Sequence, residues 1–228
     1  MLSAIIVAAG NSRRMGFDKL TADIAGKKVL AHSIDAFERA ESVTDIVVVL
    51  REERRDEMEK IVADENFKKV RSIVTGGEKR QDSVQAGLKE IPESARYVAV
   101  HDAARPLITP QQIERVYEVC CAHRAATSAE PVTDTLKYAD TDLAVTGSVN
   151  RHQLFAMQTP QIFEATLLRQ AYAALLEKKI EVTDEVSAVE RMGEKVFLVP
   201  NEDANFKITY PQDLPLAEFI LRQRTTRP

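Results

Sequence analysis

Short apolar runs alternate with longer segments of helical periodicity through the first half of the chain. Four of these runs are rich in Val and Ile, are bounded by turn or charged residues, and predict buried strands of a largely parallel sheet. They are Ala4–Ala8, Asp45–Leu50, Val70–Val74 and Tyr97–Val100. Between them, apolar residues recur at spacings of three and four, as in Val29–Phe37 and Ile113–Cys120, and predict helices. This alternation predicts an α/β fold, a Rossmann-like, doubly wound, mostly parallel sheet with its ligand site at the carboxyl ends of the strands.

The pattern changes after about Ala125. Two short strands, Thr133–Ala139 and Ala144–Val149, flank the turn-like tripeptide Asp140-Thr141-Asp142 and predict a protruding β-hairpin arm at about residues 131–150. Such an arm is either a dimer contact or a plain surface hairpin. The remaining predicted elements are helices over Ala165–Leu176 and around Val186–Met192, strands at Val196–Val199 and Phe206–Thr209, and a closing helix from about Pro211 to Gln223.

Composition narrows the class of protein. The 228 residues include 31 Lys and Arg against 35 Asp and Glu, a net charge of −4, which argues against a nucleic-acid partner bound through a basic face. The apolar run Ala4–Ala9 is too short to span a membrane. Cys120 and Cys121 are neighbours and cannot form an ordinary disulfide, which favours a reducing, cytoplasmic location. We therefore expect a single domain over residues 1–228, with neither nucleic acid nor membrane as partner.

One charged segment carries no predicted function. Nine of the ten residues of Arg51–Lys60 are charged, with mixed signs, and this pattern is typical of a solvated helix face.

The loop after the first predicted strand is the strongest candidate for ligand binding. Gly10 and Gly16 allow the backbone to approach a ligand closely, and successive N–H groups can hold phosphate oxygens. Arg13, Arg14 and Lys19 add three cations, so the loop predicts a polyphosphate site. It is neither a Walker A loop nor a dinucleotide-binding G-x-G-x-x-G loop, because the required Lys-Ser/Thr pair and the further glycines are missing.

The stretch Ala-Ala-Gly-x-x-x-Arg-Met-Gly followed by a lysine resembles the signature loop of nucleotidyltransferases. Five further stretches, in order along the whole chain, are similar to the 2-C-methyl-D-erythritol 4-phosphate cytidylyltransferase family. They are Gly76–Val84, His101–Pro106, Thr159–Phe163, Thr183–Glu185 and Lys207–Leu214.

The resemblance implies transfer of a cytidylyl group from CTP to 2-C-methyl-D-erythritol 4-phosphate, with release of pyrophosphate, in the non-mevalonate route to isoprenoid precursors. It also implies Mg²⁺ or another divalent cation, held mainly by the CTP phosphates with Asp102 nearby. The family's arm clasps a second subunit, so the resemblance predicts a homodimer whose sites are shared across the interface.

The resemblance further assigns roles to individual positions. The catalytic set that it implies is Arg14, Lys19, Arg151 and Lys207. The nucleotide-binding set is Ala8, Ala9, Gly10, Asn11, Arg13, Gly77, Glu78, Arg80 and Ser83. The substrate-binding set is Asp102, Arg105, Thr135, Thr159 and Thr183.

Several of these residues have structural alternatives. Ser83 and Thr183 are each as well suited to capping a helix as to binding a ligand, with Asp82 competing with Ser83 for that position. Asp102 and Arg105 could form a purely structural pair. For His101 we expect a packed residue at a strand end rather than a catalytic base, because a phosphate nucleophile is already ionised at neutral pH.

Other functions stay open at this point. A ribitol 5-phosphate cytidylyltransferase or another sugar-phosphate nucleotidyltransferase would share most of these motifs, and Thr135, Arg151 and Thr183 are the residues that would discriminate them. Asp140-Thr141-Asp142 matches the Asp-x-Asp metal motif of glycosyltransferases, although a hairpin turn explains it better. A non-catalytic nucleotide-binding module is the least favoured, because it has no use for Lys19, Arg151 and Lys207 together.

Overall fold

The computed structural model describes residues 1–10 and 15–226 of the chain. In these ranges the strands are β1 (Leu2–Val7), β2 (Asp23–Ile24), β3 (Lys27–Lys28), β4 (Val43–Leu50), β5 (Val70–Thr75), β6 (Tyr97–Asp102), β7 (Ala125–Pro131), β8 (Lys137–Ala139), β9 (Val145–Ser148), β10 (Phe155–Glu164) and β11 (Phe197–Pro200). The α-helices are α1 (Val29–Arg39), α2 (Arg55–Asp64), α3 (Arg80–Glu90), α4 (Pro110–His123), α5 (Ala165–Lys178), α6 (Glu185–Glu190) and α7 (Asp213–Thr226). None of the helices in this described part of the chain is both long and apolar enough to cross a lipid bilayer.

A seven-stranded sheet organises the molecule, with strand order β11-β7-β10-β6-β1-β4-β5. β1 pairs in parallel with β4 and β6, β4 with β5, and β7 with β11, whereas β10 runs antiparallel to both β6 and β7. The predicted α/β fold with a mostly parallel sheet is thereby confirmed. Val7 of β1 lies in register with Asp102 of β6, so the chain leaves these two central strands side by side.

Helices cover both faces of the sheet and create two apolar cores. Ile5 and Ile6 are neighbours in β1 and are both fully buried, but they belong to different cores because successive side chains of a strand point to opposite faces. α3 lies very close to the sheet. A Cβ atom at Gly87 would come 2.7 Å from the Ile5 side chain, so the helix needs a glycine at this position.

Two strands of the sheet were not predicted. β7 begins with small residues, Ala125 to Ala129, which have little strand propensity, and β10 contains Pro160 and polar residues. The predicted strand at Phe206–Thr209 is wrong, because these residues form no strand. Instead, the N–H of Ile208 donates to the carbonyl of Ala104, 2.8 Å away, so this segment crosses the strand ends beside the site.

The predicted hairpin arm is present as β8 and β9. Asp140 closes its turn, since its carboxylate accepts the N–H groups of Asp142 and Ala144 at 3.0 and 2.9 Å. The hairpin turn therefore explains Asp140-Thr141-Asp142, and the turn contacts do not support the interpretation as a glycosyltransferase metal motif. Tyr138, Leu143 and Val145 on the arm are all more than 60% exposed.

Candidate active site

Two adjoining cavities lie at the carboxyl ends of β1 and β6. The larger, of about 230 Å³, lies between the loop after β1 and the loop before α3. Predicted residues that line it are Ala8, Ala9, Gly10, Lys19, Gly77, Glu78, Arg80, Ser83, Asp102 and Lys207. The smaller cavity, of about 130 Å³, is lined by the predicted residues Arg80, Asp102, Arg105, Thr159, Thr183 and Lys207. Arg80, Asp102 and Lys207 line both, so they form the boundary between two binding spaces.

Asp102 is the centre of this boundary. Its carboxylate lies 3.2 Å from Arg80 Nε, 2.8 Å from Lys207 Nζ and 3.9 Å from Arg105 Nε. Burial alone would raise the pKa of this carboxyl, but the neighbouring Arg80, Lys207 and Arg105 hold the pKa well below its usual range. Asp102 is therefore ionised, and three cations surround its carboxylate.

Arg80 is fixed from its other side by Glu185, a carboxylate with no solvent exposure. Arg80 Nη1 lies 2.7 and 2.9 Å from the two Glu185 oxygens, and the Tyr172 hydroxyl donates to Glu185 at 2.9 Å. Burial works against the charged form of Arg80, yet Glu185 and Asp102 raise its pKa, so it stays protonated. Glu185 was not predicted as a site residue, although it ends the family-like stretch Thr183–Glu185, because a glutamate in the first turn of a helix is usually a surface residue.

The first turn of α6 is held by side chains from β10. Gln161 accepts the N–H groups of Glu185 and Val186 at 3.1 and 3.2 Å, and its amide donates to Asp184. Asp184 is the N-cap, since it accepts the Ser187 N–H at 3.0 Å. The capping alternative for Thr183 is therefore wrong, and Thr183 lies in the wall of the smaller cavity.

His101 and Thr159 connect β6 to β10 directly beneath Asp102. His101 Nε2 lies 3.2 Å from the Arg105 carbonyl, which can only accept, so Nε2 carries the proton. Nδ1 then accepts the Thr159 hydroxyl at 2.9 Å, and Thr159 Oγ1 accepts the Asp102 N–H at 3.1 Å. Burial lowers the pKa of His101 to about 3, so the ring is neutral. The expectation of a packed histidine at the strand end is confirmed.

Lys19 enters the larger cavity from a single 3-10 turn, Lys19–Thr21. Its Nζ donates to the carbonyl of Ile208 at 2.5 Å, next to Lys207 in the chain. The two lysines predicted to be catalytic therefore reach the same segment from opposite ends of the sequence.

The two glycine-containing loops are in direct contact. A Cβ at Gly76 would lie 2.5 Å from Ser83 Oγ and 2.9 Å from Ala9 Cβ, so only glycine allows this approach. Ser83 lies inside α3 and donates to the Lys79 carbonyl at 3.2 Å, while Asp82 accepts the Lys79 N–H. The capping alternative for Ser83 is therefore wrong.

Some predicted residues are not part of this cluster. Thr135 and Arg151 are exposed beside the arm, where Arg151 donates to the Thr133 carbonyl, and neither lines the two cavities described above. Asn11, Arg13 and Arg14 lie outside the described residues.

The larger cavity offers carboxylates that could help to hold a divalent cation such as Mg²⁺, with most of its ligands supplied by a bound polyphosphate. Asp102 and Glu78 line the cavity, and no group of three or more His, Cys, Asp or Glu able to hold a metal occurs in residues 1–10 and 15–226. Mg²⁺ usually takes one or two carboxylates and completes its shell with phosphate oxygens and water. The residues present therefore fit Mg²⁺ bound together with a polyphosphate.

The buried, neutral state of His101 predicts a pH effect on stability. Because its folded pKa of about 3 lies below the ordinary 6.5, the free energy of unfolding should fall as pH decreases through this interval. His101→Gln keeps a donor for Arg105 and an acceptor for Thr159 but cannot titrate. The free energy of unfolding, measured with urea, should therefore change less steeply with pH in the variant. The slope should be smaller by up to about 1.4 kcal/mol per pH unit between about pH 6 and pH 4. Equal slopes would contradict this prediction.

Comparison with known proteins identifies the family of the chain. The family model for 2-C-methyl-D-erythritol 4-phosphate cytidylyltransferase matches residues 2–223. The cytidylyltransferase of that name from Caldanaerobacter subterraneus subsp. tengcongensis is 41% identical, over 97% of this chain and 99% of the relative. The structure of 4-diphosphocytidyl-2C-methyl-D-erythritol synthase from Anaerococcus prevotii is 29% identical, with a TM-score of 0.84 over 97% and 96% of the two chains. The Thermus thermophilus enzyme is 32% identical, with a TM-score of 0.78 over 97% and 100%. The chain belongs to the 2-C-methyl-D-erythritol 4-phosphate cytidylyltransferase family.

Proposed function

We propose that this protein transfers the cytidylyl group of CTP to 2-C-methyl-D-erythritol 4-phosphate, giving 4-diphosphocytidyl-2-C-methyl-D-erythritol and pyrophosphate for isoprenoid biosynthesis. Membership of the family supports this activity. The observation that carries it is the boundary formed by Arg80, Asp102 and Lys207, which puts two spaces for anionic ligands side by side. A transferase that joins two phosphates needs this arrangement, whereas a nucleotide-binding module needs only the larger cavity.

The nucleotide occupies the larger cavity. Gly76 packs closely against Ala9 and Ser83, and the Ala8–Gly10 turn and the Gly77–Ser83 stretch both lie at the larger cavity. We expect this close approach to suit a pyrimidine better than a purine. Lys19 faces the triphosphate, and the resemblance adds Arg14 and Arg13 to the same role. Mg²⁺ supplies positive charge to the triphosphate when it is bound, and Asp102 is the residue that would hold it.

The acceptor phosphate occupies the smaller cavity. Arg105 supports this assignment, because its guanidinium lies in the wall of this cavity, where it pairs with Asp102 at 3.9 Å. Lys207 and Thr183 lie in the same wall. An incoming phosphate would therefore find one guanidinium and one ammonium group already in place.

The reaction requires positioning and fixed charge rather than a covalent intermediate. An oxygen of the acceptor phosphate attacks the α-phosphorus of CTP, and the bond to the pyrophosphate oxygen breaks. Negative charge then accumulates between the two cavities. The residues that line the two cavities carry five cations, namely Lys19, Lys79, Arg80, Arg105 and Lys207, and three carboxylates, namely Glu78, Asp102 and Asp184. Even with Glu185 behind Arg80 counted as a fourth carboxylate, positive charge is in excess where the transition state needs it.

The assembly is a homodimer in which the arm of each subunit reaches the acceptor site of its partner. Exposed apolar side chains on the arm support this proposal, because large apolar groups on a short hairpin are typical of an interface. Sharing also gives Thr135 and Arg151 a role, since neither lines the cavities of its own chain. The two adjacent thiols, which form no disulfide, support a cytoplasmic location.

Purified protein with Mg²⁺ should release pyrophosphate from CTP in the presence of 2-C-methyl-D-erythritol 4-phosphate. Lys19→Ala should lower kcat by roughly 100- to 1000-fold, because one fixed cation at a developing phosphate charge contributes about 3–4 kcal/mol. Lys28→Ala, at a lysine paired with Asp23 outside the cavities, should leave the rate unchanged. Activity with a purine triphosphate but none with CTP would contradict the base assignment. Activity with ribitol 5-phosphate alone would instead identify that sugar phosphate as the acceptor.

Mixing inactive variants tests the shared sites. In an equal mixture of Lys19→Ala and Arg151→Ala subunits, half of the dimers are mixed, and one of the two sites in each mixed dimer carries neither substitution. We expect about one quarter of the unmodified activity after subunit exchange. If each site is built from one chain only, every site stays defective and no activity returns.

A further inference from the structure

Arg54, in the charged segment Arg51–Lys60, contacts the loop that follows β1 and that lines the larger cavity. The Arg54 side chain is only 21% exposed, in contrast to the solvated face that the sequence predicts. Its Nη1 lies 3.2 Å from the Gly10 carbonyl and 2.7 Å from Asp18 Oδ2. One nitrogen of Arg54 therefore contacts the loop after β1 at two positions, Gly10 and Asp18.

Both contacts lead to the larger cavity. Gly10 lines it directly. Asp18 is the N-cap of the 3-10 turn Lys19–Thr21, where its Oδ1 accepts the Leu20 N–H at 3.1 Å. The other oxygen of the same carboxylate takes the ion pair with Arg54, so the orientation of this cap, and with it the start of the turn that carries Lys19, depends on Arg54.

The neighbouring Arg55 has a different environment. Its guanidinium contacts Glu52, Glu59 and Thr75 within its own part of the surface. Arg51 pairs with Glu53, two residues away, at 3.3 Å. Within this segment, Arg54 is thus the arginine whose contacts join it to the loop that follows β1.

We propose that Arg54 is a positioning residue for the triphosphate of the nucleotide. It fixes the separation of Gly10 and Asp18 before the nucleotide arrives, so less conformational entropy is lost on binding. It also neutralises Asp18, a carboxylate adjacent to Lys19 that would otherwise repel the phosphates. The inference rests on the proposed function, because it takes the larger cavity as the site of CTP.

The test compares the binding of CTP and CMP, each with Mg²⁺, by isothermal titration calorimetry. For Arg54→Ala we expect the Kd of CTP to rise about tenfold, as expected for loss of a charge-assisted contact, and the Kd of CMP to change less than about twofold, because CMP lacks the outer phosphates. In steady-state assays the KM for CTP should rise while the KM for the acceptor stays constant.

Two further variants separate positioning from general structural damage. Arg54→Lys should recover most of the CTP affinity, because both contacts come from one nitrogen that an ammonium group can replace. Arg51→Ala should bind both nucleotides like the unmodified chain. A thermal melt of each variant identifies any that fails to fold, in which case Arg54→Lys and Arg54→Gln provide the comparison.

The outcomes distinguish this inference from the proposed function. Unchanged CTP binding in Arg54→Ala, or equal weakening of CTP and CMP, would overturn the role of Arg54 alone. Absence of CTP binding by the unmodified chain would overturn the proposed function and the role of Arg54 together.

Discussion

A buried carboxylate surrounded by cations is the constraint on which this site depends. Asp102 ends the central strand β6, and burying its charge is costly unless opposite charges compensate. The compensation comes from separate parts of the chain: Arg80 opens α3, Arg105 follows β6, and Lys207 precedes α7. Each cation is therefore held where Asp102 requires it, and the loop before α3, the loop after β6 and the crossing segment at Ile208 converge on one point. The same convergence separates two cavities and gives them a common charged wall.

The electrostatics of the site contrast with those of the whole protein. The chain carries a net charge of −4, yet cations outnumber carboxylates around the boundary between the cavities. Burial does not neutralise Arg80, because the buried Glu185 carboxylate pairs with it. Glu185 in turn accepts the Tyr172 hydroxyl, and its N–H group donates to Gln161. The neighbouring His101 is neutral: it accepts the Thr159 hydroxyl and donates to the Arg105 carbonyl without carrying charge. The positive charges thus lie in the walls of the cavities, and the neighbouring buried histidine adds none.

The sequence predicts the parts of this arrangement that depend on local pattern. The Val- and Ile-rich strands and the glycine loops were identified because burial on both faces and close backbone approach each demand particular residue types. β7 and β10 were not predicted, since small and polar residues such as Ala126 and Gln161 adopt strand structure only through their neighbours in the sheet. Glu185 and Arg54 look like surface charges in the sequence, and only the tertiary contacts with Arg80 and Asp18 give them their environments. Lys207 was predicted as a site residue, but its place in a strand was wrong, because the segment is ordered by Asp102, Ala104 and Asp213 rather than by a ladder.

Steady-state kinetics of Asp102→Asn, with CTP and the acceptor varied independently, tests the central claim most directly. Asparagine keeps the shape of the side chain but removes the charge that holds Arg80, Arg105 and Lys207 together. If Asp102 organises both cavities, kcat/KM should fall by about 100-fold or more for each of the two substrates, equivalent to the roughly 3 kcal/mol lost when a buried ion pair is broken. A loss confined to one substrate, or kinetics equal to those of the unmodified chain, would contradict the account.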